Sequence, residues 1–256
     1  MRLPRPSLRF IPIWRRNLLV WRKLAIPSML GNLADPMFYM LALGFGLGRL
    51  LPEIGGMPYI AFLAAGTMCY ATMNTATFES LYSAFSRMQI QRTWDAILNT
   101  PLTLDDIIIG EFAWSITKSG LSGLAILCAI LILGIAHGPN LLWLIPLSLL
   151  IGMCFTGMAL IITALAPNYD FFMYYFSLAI TPMTLLCGVF FPTNQLPLLL
   201  QHISVLLPLT HAIDLARPLV AGHNPHHLIV HVTVLVLYGL TGLCLAINLI
   251  ERRLQR

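Results

Sequence analysis

The chain has 256 residues, of which 58% are hydrophobic and only 10% are charged. Soluble globular domains are about 25% charged, so this composition excludes a soluble enzyme or binding domain and indicates a polytopic membrane protein. The net charge of +5 comes from basic residues that lie beside apolar segments, so it indicates membrane topology and does not require nucleic-acid binding.

Residues 10–28 form an amphipathic segment near the start of the chain. Apolar side chains recur at intervals of three and four, and basic side chains take the opposite side: Phe10, Trp14, Asn17, Leu18, Trp21 and Leu24 against Arg15, Arg16, Arg22 and Lys23. This pattern predicts a helix in the plane of the membrane interface, with a disordered basic tail as the alternative.

Six apolar segments follow, and each is long enough for a membrane-spanning helix, which needs about 20 residues. They are residues 33–51, 59–79, 107–134, 141–165, 171–190 and 228–250. We therefore expect an all-α polytopic membrane protein in which residues 1–256 form one transmembrane domain with six transmembrane helices. The five cysteines lie within or beside these segments, and we expect them to be buried apolar residues.

Basic residues are concentrated on one side of the predicted membrane. With a cytoplasmic N-terminus, that side holds Arg2, Arg5, Arg9, Arg15, Arg16, Arg22, Lys23, Arg87, Arg92, Arg252, Arg253 and Arg256, whereas the other side keeps Arg49 and Arg217. The positive-inside rule then predicts that both termini are cytoplasmic.

The second apolar segment carries a polar stripe, formed by Thr72, Thr75, Glu79, Ser83 and Ser86. Such a stripe faces a neighbouring helix or a water-filled pathway, unless its hydroxyls bond their own backbone. The third segment places Glu111, Ser115 and Lys118 on one helical face. We expect a carboxylate to pair with Lys118, and a structural ion pair is favoured over a proton relay.

The connection between the second and third segments predicts a short helix at residues 93–100, which Thr93 caps and Pro101 ends. This helix would expose Trp94, Ile97 and Leu98 beside Arg92 and Asp95, which is typical of a docking element. The alternative is that it lies on the membrane surface. The third segment then begins at Thr103 and Asp106 with the spacing of a capping box.

Prolines divide residues 192–219, which follow the fifth segment. Pro192 is expected to end the fifth span, Pro197 to begin a short helix and Pro208 to stop it. About 11 residues of helix span only about 16 Å, so this segment is expected to be external or re-entrant. Asp214 and Arg217 can pair on a second short helix. The residues of this predicted external cap are Phe190, Phe191, Pro192, Pro197, His202, Pro208, Asp214 and Arg217.

Motifs for catalysis are missing from the sequence. It contains neither the G-x-x-x-x-G-K-[ST] loop of nucleotide hydrolases nor the G-x-S-x-G turn of serine hydrolases. His223, His227 and His231 have a spacing that metal ligands can use, but no acidic residue accompanies them, so interfacial histidines are the favoured interpretation. We expect no enzymatic site, cofactor or metal.

Four motifs in order make the chain resemble the membrane subunits of ABC-2 type exporters, in their nodulation-type (NodJ-like) branch. They are LGNLADP, RTWDAILNTPLT, ALAPNYD and FFPTNQLP followed by LLPLTHAIDLARP. The resemblance covers nearly the whole chain. One departure is Gly110-Glu111, since many family members have a Gly-Lys pair at this position.

The resemblance implies a homodimer in the bacterial inner membrane, bound to two copies of a separate NodI-like ABC ATPase. It implies that residues 93–100, preceded by Arg87 and Arg92, are the coupling helix, and that residues 192–219 cap the pathway. It also implies export of an amphipathic or lipid-linked glycan such as a lipo-oligosaccharide, with drugs or lipids as the alternative substrates. The polar stripe favours a route between the two protomers, because it needs a neighbour other than lipid. A lateral route for the lipid part of a substrate is equally compatible with the sequence. Rival classes are an ion-coupled secondary transporter and an intramembrane enzyme.

Overall fold

A computed structural model describes residues 7–51 and 53–254. The predicted basic residues Arg2, Arg5 and Arg256 lie outside these ranges. The described chain is almost entirely helical, which confirms the predicted all-α class. Its α-helices are α1 (Ile11–Arg22), α2 (Ala25–Gly46), α3 (Tyr59–Phe78), α4 (Thr93–Leu98), α5 (Leu104–Ile132), α6 (Leu144–Leu165), α7 (Asp170–Tyr175), α8 (Thr181–Leu186), α9 (Leu198–Leu206), α10 (Pro208–Val220) and α11 (Leu228–Leu254).

Shorter elements complete the described fold. The 3₁₀ turns are Leu8–Phe10, Leu47–Arg49, Pro139–Trp143 and Thr193–Gln195, and π-helical segments occur at Glu79–Ser83, Ser86–Ile90 and Phe176–Ile180. A small hairpin joins β1 (Glu53–Ile54) to β2 (Met57–Pro58), with Glu53 opposite Pro58. The π segments continue α3 to Ile90 and join α7 to α8.

Three single helices of the described chain are long and apolar enough to cross a membrane. They are Leu104–Ile132, Pro139–Leu165 and Leu228–Leu254, and α9 with α10 adds a fourth only if this pair, bent by 88°, is one span. The predicted spans 33–51 and 59–79 correspond to α2 and α3, in which Asn32, Asp35 and Asn74 lower the mean hydropathy. The number of six spans therefore stays a prediction.

The helix α7–π–α8 ends earlier than the predicted fifth span. It stops at Leu186, and Gly188 then adopts a left-handed backbone with φ of 84°. Only glycine takes this conformation without steric cost, so Gly188 and not Pro192 sets the end of the helix. Pro197 is the N-cap of α9, and α9 ends at Leu206 just before Pro208, as predicted. Pro208 is in addition the first residue of α10.

Glycines let α6 and α11 pack at backbone distance. A β-carbon on Gly157 would overlap the carbonyl of Gly239, and one on Gly242 would overlap the backbone of Gly157. Close approach of small residues is a common basis of helix association in membranes. This contact anchors α11, the last described helix, to the centre of the bundle.

The two largest of three hydrophobic clusters in the described residues lie along the bundle. The first joins α3, α5, α6 and α10 around Met68, Phe155 and Ile213. The second contains Trp94 and Ile107 and reaches Ile250 near the end of α11. Three of the five cysteines are buried as predicted, but Cys128 is exposed on α5, and all five are free thiols. The second cluster surrounds the polar site described next.

Candidate functional site

Four charged side chains form one connected group, which we call the Arg87 network. The Arg87 guanidinium donates from Nε to Glu111 Oε1 at 2.8 Å and from Nη2 to Glu111 Oε2 at 2.5 Å. The same Nη2 donates to Glu79 Oε1 at 2.8 Å, and Lys118 Nζ donates to Glu79 Oε2 at 2.7 Å. The predicted ion pair of Lys118 therefore forms with Glu79, and Arg87 joins it to Glu111.

Neighbouring side chains tie this network to α1, α4 and α5. Asn17 Nδ2 donates to Glu111 Oε2 at 3.1 Å, and Trp94 Nε1 donates to Glu111 Oε1 at 3.4 Å. Trp114 Nε1 donates to Glu79 Oε1 at 2.9 Å. Because both buried carboxylates accept several hydrogen bonds, their burial is compensated. Four segments of the chain thus meet at two carboxylates.

A π turn aligns Glu79 with Arg87. In a regular α-helix, residues eight apart point in directions that differ by about 80°. Here the N–H of Ala84 donates to the carbonyl of Glu79, five residues earlier, so this turn holds one extra residue. The extra residue brings the step from Glu79 to Arg87 close to two full turns, and both side chains face α5.

The short helix α4 carries one side chain into the network and exposes others. Trp94 is fully buried, whereas Arg92, Asp95 and Leu98 are exposed and Ile97 is partly buried. The prediction that Trp94 is exposed for docking is therefore wrong, because its indole packs in the second cluster and reaches Glu111. Helix α4 has an inner and an outer face.

The structure corrects two further predictions about the connection between α3 and α5. Arg92, with φ of 49°, occupies the N-cap of α4, and Thr93 is the first helical residue rather than the cap. Arg87 does not fit an exposed ATPase contact, because its guanidinium is bound to two carboxylates. The predicted capping box is confirmed: the Asp106 N–H donates to Thr103 Oγ1 at 3.3 Å, and the Thr103 N–H donates to Asp106 Oδ2 at 2.9 Å.

Two residues of the predicted polar stripe, Thr72 and Thr75, are enclosed within the chain. Thr72 Oγ1 donates to the Met68 carbonyl at 2.8 Å, and Thr75 Oγ1 donates to Ser122 Oγ at 3.1 Å. Thr72 and Thr75 are both buried. Thr72 thus bonds its own helix and Thr75 bonds α5, so these two residues do not favour a route between two copies of the chain.

The charge state of the arginines follows from burial and from the carboxylates. Burial by itself would lower the pKa of Arg87, but the charges of Glu111 and Glu79 raise it above its usual value. Burial lowers the pKa of Arg16, which Glu111 opposes. Arg87 therefore keeps its positive charge while it is enclosed.

Helix α1 contributes residues that the sequence interpretation placed only in part. Its buried residues are Ile13 and Asn17, and Leu24, predicted on the apolar face, is exposed because α1 ends at Arg22. A β-carbon on Gly110 would overlap Ile13, so this glycine lets α1 approach α5. The contact between Ile13 and Gly110 could not be predicted from the sequence, because it joins residues of two different helices.

Trp114 was not predicted, although a signal was present. It lies three residues after Glu111 and four before Lys118, which places all three on one helical face. Arg16 was predicted only as part of a basic face, yet its Nη2 lies 3.8 Å from Glu111 Oε1. The departure from the family pattern at Gly110-Glu111 falls at the centre of the site.

The predicted external cap has a different set of contacts. Arg217 donates to the Gly188 carbonyl, and its guanidinium carbon lies 3.8 Å from the centre of the Phe62 ring. Among the described residues, Arg217 makes no ion pair with Asp214, because its guanidinium is held at this turn instead. Tyr59 Oη also donates to the carbonyl of Phe190, at 3.2 Å.

The histidines form a pair rather than a group of three. His231 Nδ1 lies 2.8 Å from His211 Nδ1, across α11 and α10. Within residues 7–51 and 53–254, no three histidine, cysteine or acidic side chains lie close enough to share a metal ion. The spacing of His223, His227 and His231 is therefore not realised as a common site there.

Comparison with known proteins decides the family. The profile of the ABC-2 type transporter family matches residues 9–220. The chain belongs to this family. Nodulation protein J of Rhizobium meliloti (strain 1021) is 44% identical over 253 residues, covering 99% of this chain and 97% of the relative. Nodulation protein J of Rhizobium leguminosarum bv. viciae is 45% identical over 254 residues, covering 99% and 98%.

A more distant relative is the inner membrane transport permease YadH of Escherichia coli (strain K12), which is 22% identical over 241 residues, covering 94% of this chain and 93% of the relative. The similarity to the two nodulation proteins J confirms the resemblance to the nodulation-type branch of ABC-2 permeases. ABC-2 permeases are integral membrane subunits of transporters, and they work with a separate ATPase subunit. The matched residues include α1 to α10 and thus every helix of the Arg87 network.

Proposed function

We propose that this ABC-2 permease is the membrane subunit of an ATP-driven exporter that moves an amphipathic or lipid-linked glycan, such as a lipo-oligosaccharide, outward across the bacterial inner membrane. It acts as a homodimer with two copies of a NodI-like ATPase, each permease has six spans, and both termini are cytoplasmic. The observation that carries the proposal is the similarity to nodulation protein J along nearly the full length of the chain.

The structure of α4 supports a role in coupling. Its outer face presents Arg92, Asp95 and Leu98, while Trp94 reaches the carboxylate of Glu111 on its inner face. A force applied by the ATPase to the outer face reaches Glu111 through the packed indole. We therefore assign α4 as the coupling helix, with docking on its exposed residues only.

Arg87 carries the movement from α5 to α3. It binds Glu111 of α5 and Glu79 at the end of α3 with the same guanidinium. Charged hydrogen bonds of this kind are short and directional, so the three groups move as one unit. Displacement of α4 is then shared between the two helices instead of being lost in one loop.

Co-purification with the ATPase tests the docking face. The double variant Asp95→Arg with Leu98→Glu reverses a charge and removes an apolar contact on the outer face of α4. We expect loss of ATPase association and of ATP-coupled transport, while Trp94 keeps the fold intact. The matched control is Glu53→Arg with Leu50→Glu, two exposed residues at the same spacing on the predicted opposite side. Unchanged association in the α4 variant would contradict the assignment.

The substrate is tested in a strain that lacks this chain. We expect lipid-linked glycans to accumulate inside the cell and to be exported again when the wild-type chain is restored. The Asp95→Arg and Leu98→Glu variant should fail to restore export, whereas its control should succeed. Normal glycan export in the deletion strain would exclude this substrate class and leave drugs or lipids as cargo. Export driven by an ion gradient without the ATPase would instead indicate a secondary transporter.

A further inference from the structure

A cavity of about 440 Å³ lies between α1, the π-helical continuation of α3, and α5. We call it the α1–α5 cavity. Its lining includes Arg16, Asn17, Val20, Trp21, Arg87 and Lys118. Three members of the Arg87 network, Glu79, Arg87 and Lys118, form one side of this cavity. Neither the coupling role nor the family similarity assigns a ligand to it.

The cations that line this cavity are more exposed than the carboxylates beside them. The side chains of Arg16, Arg87 and Lys118 are 31%, 15% and 18% exposed. The carboxylates of Glu79 and Glu111 are only 4% and 1% exposed. Glu79 also lines the cavity, but it is nearly enclosed and already bonded to Arg87 and Lys118, so an entering anion meets three cations and one neutralised carboxylate.

The cations have donor capacity for such an anion. A lysine has three N–H donors and an arginine has five. In the described bonds Lys118 uses one donor, toward Glu79, and Arg87 uses Nε and Nη2. Arg16 lies at the cavity edge, where it bonds Asn17 with Nε and Nη2. Phosphate oxygens are acceptors that suit such mixed arginine and lysine sites.

The rim of the cavity is apolar. Val20 on α1 and Leu24 just before α2 are exposed and line the same cavity. Trp21 stands edge to face against Trp114, with ring centroids 5.9 Å apart. Tryptophan is typical of membrane interfaces, where one end of the ring is wet and the other is apolar. Cations within and hydrocarbon-like side chains at the rim match a molecule with an anionic head and a lipid chain.

We propose that the α1–α5 cavity binds the phosphate group of an anionic membrane lipid. The chemistry that it recognises is a phosphate oxyanion, which a lipid headgroup or free phosphate can supply, and the apolar rim selects the lipid. A lipid bound there would contact α1, α3 and α5 at once, beside the groups that hold Trp94. It would thereby favour the assembled Arg87 network whatever the transported substrate is.

Binding is measured on the purified permease alone, without ATPase or transport, so a failed transport assignment does not affect the result. Delipidated protein in detergent is titrated with phosphatidylglycerol, and bound lipid is counted by native mass spectrometry. Any lysine or arginine near an anionic surface contributes roughly fivefold to general attraction. The test must therefore compare variants that change the same charge at different places.

Arg16→Gln and Arg15→Gln form such a pair. Both residues lie on α1, but Arg15 is exposed and does not line the cavity. We expect phosphatidylglycerol affinity to fall about tenfold more in Arg16→Gln than in Arg15→Gln, because a charged hydrogen bond is lost only in the former. Arg16→Lys should retain most of the binding. Equal losses in the two glutamine variants would overturn the proposal.

A gain-of-binding pair decides the matter if Arg16→Gln does not fold. Val20→Lys adds a cation at the cavity rim, whereas Leu19→Lys adds one to an exposed position of α1 that does not line the cavity. We expect stronger phosphatidylglycerol binding in Val20→Lys than in Leu19→Lys, and equal binding would contradict the site.

Two ligand controls identify the source of the phosphate. Phosphatidylcholine, which carries no net charge, should bind at least tenfold more weakly than phosphatidylglycerol, and equal binding would overturn the proposal. Inorganic phosphate that displaces the lipid only weakly supports a lipid site. Inorganic phosphate that binds as tightly as the lipid, with the same difference between Arg16→Gln and Arg15→Gln, supports the phosphate chemistry and assigns its source to a free anion.

Discussion

The Arg87 network and the α9–α10 bend, in which we include the turn at residues 188–191 that contacts α3 and α10, both hold several helices together, but by different kinds of contact. In the network, two buried carboxylates accept from side chains of four segments. At the bend, donors such as Arg217, Thr210 and Tyr59 bond backbone carbonyls. A backbone carbonyl is present whichever residue occupies the position, whereas a side-chain carboxylate is lost when its residue is replaced.

This difference predicts unequal responses to mutation. Removing one member of the network leaves a buried charge without its partner, which is more costly than the original pair was favourable. Removing a donor at the bend leaves a neutral carbonyl, which water or another N–H can satisfy. The network is therefore the less tolerant of the two regions, although both lie in well-packed surroundings.

Arg87→Met should have the largest effect. It leaves Glu79 and Glu111 close together without the shared guanidinium, and we expect a loss of about 3–5 kcal/mol in the free energy of unfolding. The measurement is a denaturant titration in detergent micelles. Arg92→Met, at an exposed position, is the control and should change stability by less than about 0.5 kcal/mol. Similar losses in both variants would remove the distinction between the network and the surface.

Lys118→Met should cost less, roughly 1.5–3 kcal/mol, because its ammonium is partly exposed and Arg87 still neutralises Glu79. Adding Glu79→Gln to this variant removes the charge that was left behind. The loss in the double variant should therefore be smaller than the sum of the losses in Lys118→Met and Glu79→Gln, as read from the same titration. If the two losses simply added, Glu79 would not be coupled to Lys118.

Arg217→Met tests the bend. It removes a hydrogen bond to the Gly188 carbonyl and the contact with the Phe62 ring, and we expect a loss of about 1–2 kcal/mol. Phe62→Leu, which removes only the ring contact, should lose part of this amount. A loss as large as that of Arg87→Met would show that the bend is no more tolerant than the network.

His211→Phe should have the smallest effect, about 1 kcal/mol. Neutral His211 donates from Nε2 to the Val205 carbonyl at 2.9 Å and accepts from His231 at Nδ1. Phenylalanine keeps the ring but neither donates nor accepts, so both hydrogen bonds are lost. The loss is read from the same denaturant titration, and an unchanged free energy of unfolding would show that these bonds do not contribute.

The sequence allowed prediction where the cause was local. The capping box at Thr103 and the placement of Lys118 on the Glu111 face both depend on spacing along one helix. The burial of Trp94 was not predictable in this way, because the second cluster assembles from residues far apart in the chain. The same holds for Gly157, whose partner Gly239 lies on another helix.

Short-range rules also failed where a backbone departed from its regular geometry. A periodicity of 3.6 residues places Ser83 and Ser86 on the Glu79 stripe. It does not predict that Arg87 lies on the same face as Glu79. The end of α8 depends on the left-handed Gly188, which the neighbouring prolines concealed. Tertiary contacts stabilise such departures from regular backbone geometry. The pattern of a single sequence does not show which residues make those contacts.

Because of the π turn at Glu79–Ser83, this segment can lose a residue without a large change in the direction of the side chains that follow. Removing one residue between Ser80 and Ser83 would convert this turn to an ordinary α turn, and seven residues of α-helix also return to nearly the same face, within about 20°. The guanidinium of Arg87 would still face Glu79. A deletion in a helix ordinarily rotates every side chain beyond it, whereas this helix contains a place where one codon can be lost with the register of its charged contacts preserved.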